Sequence, residues 1–384
     1  MNETALKVKD TFSKKFKGDP HLFYSPGRIN LIGEHIDYND GFVMPAAIDK
    51  GIYFAIALND SEKINFYSVD FDGSISLKIS EVKKMDGWKN YVLGVVNEFQ
   101  KLKLPVKGFD CAFGGDIPIG GGISSSAALE GGVSYGLNEL FSFKMSRKEL
   151  ALLGQRAEHD FPNVKCGIMD QYANMLGKKD TVILLDCKNI THEYVPLDIE
   201  GYQIVLINTK VHHSLASSAY NERRKECEKG LKILQKESDI QSFRDIENPD
   251  DLLGFKKIMG EIVYKRCSYV VEEIYRTKKA AKLLKENDIA GFGKLMFETH
   301  DGLKIKYEVS CKELDFLVDV AKENKDVIGA RLMGGGFGGC TINIVKEKSV
   351  SSFLSEAASA YKKQFDIDAE SYEMKVVDGV GEIN

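Results

Sequence analysis

The chain has 384 residues, 43% hydrophobic and 28% charged, the profile of a soluble globular protein and not of a disordered one. Its 52 basic and 57 acidic residues leave a net charge of −5, and the most basic stretch, Lys7 to Lys17, is interrupted by Asp10, which argues against a nucleic-acid binder. No apolar run approaches the ~18 residues of a membrane span, and the seven cysteines are scattered singly with no Cys-x-x-Cys, as expected of free thiols in a reducing compartment. A cytoplasmic protein with no nucleic-acid or membrane partner is therefore expected, and its length favours two domains; a monomer is the working expectation, since the sequence is silent on oligomeric state.

In chain order, Leu6, Val8, Phe12 and Phe16 alternate with lysines and predict an amphipathic first helix, not the apolar core of a signal peptide. Leu22 to Leu31 and Gly51 to Leu58 are rich in β-branched and aromatic residues and predict strands, with a polar turn, Gly33 to Gly41, between them. Trp88 to Leu102 predicts a helix burying Val92, Val95, Val96 and Phe99, and Phe109 to Phe113 a short strand.

That strand leads into Gly-Gly-Asp-Ile-Pro-Ile-Gly-Gly-Gly-Ile-Ser-Ser-Ser-Ala-Ala-Leu-Glu at 114–130. Leu129, Val133, Leu137 and Leu140 then recur at helical spacing. A glycine turn feeding a helix N-terminus aims several backbone N–H groups and the positive dipole end at one point, which suits a phosphate chain. The residues concerned are Gly120, Gly121, Gly122, Ile123, Ser124, Ser125 and Ser126, and the competing reading is a flexible, serine-capped loop. No Gly-x-x-x-x-Gly-Lys-Ser/Thr is present, which excludes the common P-loop.

Ser146 and Glu149 form a capping box for a helix reaching Phe161, and Gly167 opens another running through Leu176. Thr181 to Leu185 and Gln203 to Asn208 predict strands around a boundary near residue 195. Helices are expected over Tyr220 to Lys236, around Gly260 to Tyr275 and over Lys278 to Asn287, and the glycines of 334–339 precede a strand, Cys340 to Val345. Strands and helices do not alternate strictly, so the expected class is α+β, with mixed sheets and helices in two domains, 1–195 and 196–384.

The turn Gly33-Glu34-His35-Ile36-Asp37-Tyr38-Asn39-Asp40-Gly41 concentrates polar groups beside an apolar strand. A calcium loop starting at Asp37 would meet Gly41 and Ile48 at its fifth and twelfth positions, and zinc would need a second histidine, so both fail. Glu34, His35 and Asp37 suit ligand hydroxyls, the alternative being an Asx-type turn with solvated charges. Arg28 could be a simple ion-pair partner or a stabiliser of charge on a transferring phosphoryl group. Asp170, at a helix start, could be a cap or a functional carboxylate, and Glu158 a solvated helix-face charge.

Three segments together carry a resemblance. Pro26 to Asn39 resembles the signature of the galactokinase branch of the GHMP kinase family. Pro118 to Ala128 resembles the phosphate loop of that wider family, and Gly329 to Thr341 its third glycine motif. Matches at Cys166 to Gln171 and His213 to Tyr220 extend the likeness over nearly the whole chain, while Ser25, Ile36, Ala219 and Met333 depart from the usual pattern. The resemblance implies a two-domain fold with ATP and sugar meeting in the cleft between domains. It implies that Glu34, His35, Ile36, Asp37 and Tyr220 line the galactose site, and that Gly120 to Ser126 hold the ATP phosphates. It also implies Mg²⁺ on Ser126 and Glu158, Asp170 as acceptor of the O1 proton, and Arg28 as the transition-state cation. The rival readings are a kinase for N-acetylgalactosamine, mevalonate or homoserine, and a galactose- and ATP-binding sensor without turnover.

Overall fold

The computed structural model describes residues 2–118, 121–212 and 216–383. Helix α1, Glu3–Lys15, is capped by the Asn2 side chain on the Thr4 N–H and buries Ala5, Val8 and Phe12. Strands β1 (His21–Asn30), β2 (Phe42–Val43), β3 (Pro45–Leu58), β4 (Lys63–Ser68) and β5 (Gly73–Lys78) follow, then α2 (Lys89–Lys101) and β6 (Phe109–Gly115). β1 pairs antiparallel with β3, β3 with β6, and β6 runs parallel to β4. A parallel pair requires a crossover, and β5 with α2 provides it.

Helices α3 (Ser125–Leu140), α4 (Arg147–Asp160) and α5 (Met169–Leu176) cover this sheet, α3 packing on β1 and β3 and α5 on the same strands. Strands β7 (Thr181–Asp186) and β8 (Thr191–Pro196) join β2 in a three-stranded sheet. The chain then enters β9 (Tyr202–His212), α6 (Ala216–Glu237), α7 (Lys256–Met259), α8 (Glu261–Lys285) and α9 (Ile289–Gly302). A π turn, Leu303–Tyr307, leads to α10 (Lys312–Glu323), β10 (Val327–Leu332), β11 (Gly338–Lys346), α11 (Val350–Phe365) and β12 (Glu370–Met374). β10, β11, β9 and β12 form an antiparallel sheet in that order. The last strand, β13 (Gly381–Glu382), returns to pair with β1, so the C-terminal residues sit on the first sheet and not with the rest of 196–384.

Most predicted elements appear within a few residues. The two helices expected around 260–287 are one 25-residue helix, α8. Nothing in Tyr275-Arg276-Thr277 breaks it, and Ile274, Thr277, Ala281 and Leu284 continue one buried stripe. α5 starts at Met169, two residues after Gly167. Ser146 and Glu149 form the capping box expected for α4. β4, with Ile64, Phe66 and Ser68 buried in alternation, shows the period of two that sequence inspection passed over. Among the described residues no helix is long and apolar enough to cross a membrane.

Candidate active site

Arg28 leaves β1 where the pairing with β3 shifts register. Its backbone N–H donates to the Ile123 carbonyl at 3.1 Å and its Nη1 to the Gly122 carbonyl at 2.7 Å, which ties β1 to the glycine loop. The other edge of the guanidinium makes a fork with Asp170, Nε to Oδ1 at 2.7 Å and Nη2 to Oδ2 at 2.9 Å. Asp170 lies in the first turn of α5, where the helix dipole favours negative charge. Ser124 Oγ donates to Asp170 Oδ2 at 2.5 Å. Ser124 has a left-handed backbone (φ 60°) and makes no side-chain cap to α3, so the serine-capped-loop reading does not hold for it. Gly121 to Ser126 precede or open α3, Ile123 is buried beside Met333 and Cys340, and Gly120 lies outside the described residues. His213, in the expected match at His213 to Tyr220, lies outside them too.

Glu158 is not the solvated charge it could have been: it is 6% exposed, on the inner face of α4. Gln171 Nε2 donates to its Oε2 at 2.6 Å, and Ser126 and Cys166 also hydrogen-bond it. Burial, reinforced by the Asp170 charge, pushes its carboxyl up to about 7. Fully buried Glu130 shares Gln171 with it, and burial, then Glu158, raises its carboxyl well above the ordinary range. Sequence reasoning missed Glu130, although a lone charge among Ala127, Ala128, Leu129 and Val133 was the available signal. Among the described residues no three His, Cys, Asp or Glu side chains are grouped to hold a metal by themselves.

Beyond Asp170 a cavity of about 570 Å³ is lined by Arg28, Glu34, His35, Asp37, Tyr220 and the glycine segment 334–336, with Glu158 and Asp170 on its wall. Glu34 is anchored: its Oε1 accepts from Arg331 Nη1 at 3.0 Å and from the Gly334 N–H at 2.8 Å. Fully buried Arg331, which sequence reasoning also missed, further donates to the carbonyls of Asn30, Leu31 and Leu332. Burial pushes His35 down to about 4, so its ring is neutral near pH 7. Asp37 faces the cavity, and burial, with Asp170 and Glu34 nearby, pushes its carboxyl up to about 7. The Tyr220 ring lies 5.3 Å from that of His35. The expectation for Ile36 is corrected: its side chain is fully buried in the core and does not line the cavity. An apolar side chain at that position gains more from the core than from a polar wall.

The chain matches the GHMP kinase models, described as the N-terminal domain over residues 90–178 and the C-terminal domain over 280–363. The fold is that of this class. The galactose-binding signature of galactokinases matches residues 10–58. A galactokinase of Clostridium acetobutylicum is 42% identical, over 100% of this chain and 99% of its own length. A Lactococcus lactis galactokinase crystallised with galactose superposes with a TM-score of 0.95 at 36% identity, covering 98% of this chain and 99% of that one. A Methanococcus jannaschii mevalonate kinase (TM-score 0.66, 21% identity, 94% of this chain and 100% of that one) shares the fold. The chain belongs to the galactokinase family and is therefore a phosphotransferase.

This geometry makes two predictions, with a surface variant as control. A Cβ on Gly167 would lie 1.9 Å from Asp37 Oδ2. Gly167→Ala should displace that carboxylate and raise the sugar KM at least tenfold, with the ATP KM changed less than threefold, as steady-state kinetics would show. Arg331→Leu leaves Glu34 buried and unpaired and should cost about 3–5 kcal/mol in urea unfolding. Lys282→Ala, which breaks an exposed i,i+4 pair with Glu286, should cost no more than about 0.5 kcal/mol.

Proposed function

We propose that this protein, as a cytoplasmic monomer, phosphorylates α-D-galactose at O1 with ATP and Mg²⁺, giving galactose 1-phosphate and ADP. The observation that carries this reading is the position of Asp170, shared between the glycine loop and the cavity: Ser124 and Arg28 reach it from the phosphate side, and it forms part of the cavity wall. The division near residue 195 falls at the end of β8, just before the link to β9, and would separate a sugar- and phosphate-binding part from one supplying Tyr220 and the third glycine motif.

Phosphoryl transfer asks the protein for alignment and charge stabilisation more than for covalent chemistry. Backbone N–H groups of Gly121 to Ser126 and the N-terminus of α3 would hold the ATP phosphates. Arg28, fixed by Asp170 and the Gly122 carbonyl, would balance charge on the moving group. A carboxylate has about four lone-pair sites. Arg28 and Ser124 occupy three of those on Asp170, leaving one for the O1 hydroxyl. Asp170 thus orients the nucleophile and takes its proton late, when a loose transition state has made that oxygen acidic. Asp37, the unshared part of Glu34, and Tyr220 would read the sugar hydroxyls, while His35 orders the wall around them.

Ser126 and Glu158 would hold Mg²⁺, consistent with a buried carboxylate whose proton affinity is raised by burial and by neighbouring Asp170. Magnesium usually takes one or two carboxylates and completes its shell with phosphates and water. When bound, it supplies charge neutralisation on the β- and γ-phosphates.

Asp170→Asn should lower kcat by about 10³-fold or more, with galactose affinity by calorimetry within a few-fold; one-tenth of the wild-type kcat would contradict the proton-acceptor role. Mg²⁺-dependent ADP release, assayed with galactose, glucose, N-acetylgalactosamine, mevalonate and homoserine, should be strong with galactose. Turnover with another member of the panel in its place overturns the sugar reading, and galactose binding without any ADP points to a sensor.

Asp37 adds a pH dependence. Its carboxyl rises from 3.8 to about 7 on folding, so the ligand-free protein loses stability as pH increases through that interval. Asp37→Asn should raise the apo Tm by about 2–4 °C at pH 8, with the gain shrinking toward pH 5. The ionised carboxylate is the better acceptor for hydroxyls. Wild-type galactose KM should fall between pH 6 and 8, and the mutant should lack that slope while binding galactose at least tenfold more weakly.

A further inference from the structure

We propose that Tyr307, in the π turn, is a positioning residue for the sugar wall. It orders His35 through Tyr38, and its main chain helps hold the helix that carries Tyr220. This inference rests on reading the cavity as the sugar site.

The hydrogen bonds have one consistent direction. His35 Nε2 faces the Gly335 carbonyl at 3.2 Å, and a carbonyl only accepts, so Nε2 carries the proton. In a neutral ring Nδ1 is then an acceptor, and the Tyr38 hydroxyl 2.7 Å away must donate to it. Having spent its proton there, the Tyr38 oxygen accepts from Tyr307 Oη at 3.0 Å, and Tyr307 in turn can accept from the Cys227 thiol at 3.3 Å. Tyr307 is fully buried and its ring lies 4.9 Å from that of His35. A chain of this kind runs from a thiol on α6 to the third glycine segment and selects one His35 tautomer.

The backbone of the same segment reaches the other walls. The Tyr307 carbonyl accepts from Arg223 Nε at 2.7 Å and the Glu308 carbonyl from Arg223 Nη2 at 3.1 Å. Arg223 lies one turn after Tyr220 on α6. The Val309 carbonyl accepts from the Phe337 N–H at 2.7 Å, and a Cβ on Gly336 would lie 2.2 Å from that oxygen, so only glycine permits this approach. Three consecutive residues, 307–309, therefore touch the supports of His35, Tyr220 and the glycine segment. π turns of this sort occur frequently at functional sites.

The test compares Tyr307→Phe, Tyr38→Phe and the double variant in the full chain, with Tm as the check on folding. Tyr307→Phe should raise galactose KM about fivefold, the effect of one hydrogen bond, with ATP KM within twofold and Tm within about 2 °C. Since Tyr307 acts through Tyr38, the double variant should be no worse than Tyr38→Phe. In sugar-free protein, ¹⁵N NMR should show His35 Nδ1 unprotonated and hydrogen-bonded in the wild type, and its resonance should move further from the protonated range in both single variants as the bond from Tyr38 is lost or weakened. Additive effects, an equal rise in ATP KM, or unmoved His35 nitrogens would overturn the proposal. A wild type without galactose turnover would sink the sugar reading while leaving the nitrogen shifts as a test of how His35 is ordered.

Discussion

The buried pair of Arg331 and Glu34 is the constraint on which the cavity depends. It joins β10 to the turn after β1, segments about 300 residues apart, and Glu34 also takes the Gly334 N–H. Burying two charges is expensive, and their attraction offsets the cost only when the remaining donors and acceptors are also satisfied. Here the carbonyls of Asn30, Leu31 and Leu332 take three more of the five guanidinium protons. A nearby second network has the same design: buried Glu273 on α8 accepts from the Gly33 N–H, Thr299 and Arg276. Together they hold the signature turn from both sides, so its ligand-facing groups keep their aim without a ligand.

On that frame the site accumulates negative charge. Asp170 acts on both Asp37 and Glu158, and those two, buried as well, are held at proton affinities far above those of free carboxylates. Arg28 answers part of this charge through its fork to Asp170. What remains suits a site that receives a cation with a polyphosphate and a neutral, hydroxyl-rich acceptor. The energetic cost of such crowding is met by the anchored arginines and by backbone donors, and perturbed groups of this kind gather where chemistry is done.

His35 illustrates how a residue singled out for a ligand can already be engaged within the fold. A histidine in a polar turn reads as a ligand donor. In the folded protein both ring nitrogens already have partners, Tyr38 and the Gly335 carbonyl. Glu34 is similar, with one oxygen committed to Arg331 and Gly334. Asp37, kept clear by the absence of a side chain at Gly167, faces the cavity as its residue type suggests.

Local signals were legible because they depend on neighbours in the chain. The capping box at Ser146 and Glu149, the buried stripe of α2, the glycine turn before α3 and the polar turn at 33–41 all follow from spacing and residue type. The motif resemblance placed Arg28, Glu158 and Asp170 in one site without geometry. Arg331, Glu273 and Tyr307 carry no such local mark, and Glu130 carries only its isolation among apolar neighbours. Each is an ordinary residue on a helix, strand or turn, and its importance comes from partners 30 to 300 positions away. Likewise, sequence cannot show that Ile36 turns inward or that β13 returns to the first sheet, since burial and strand pairing are settled only when the whole chain packs. The sequence by itself determined the class of chemistry and most of the elements, through short-range pattern; tertiary structure decided which polar groups are left free to meet a ligand, because that depends on which ones the fold has already used to satisfy its own buried charges.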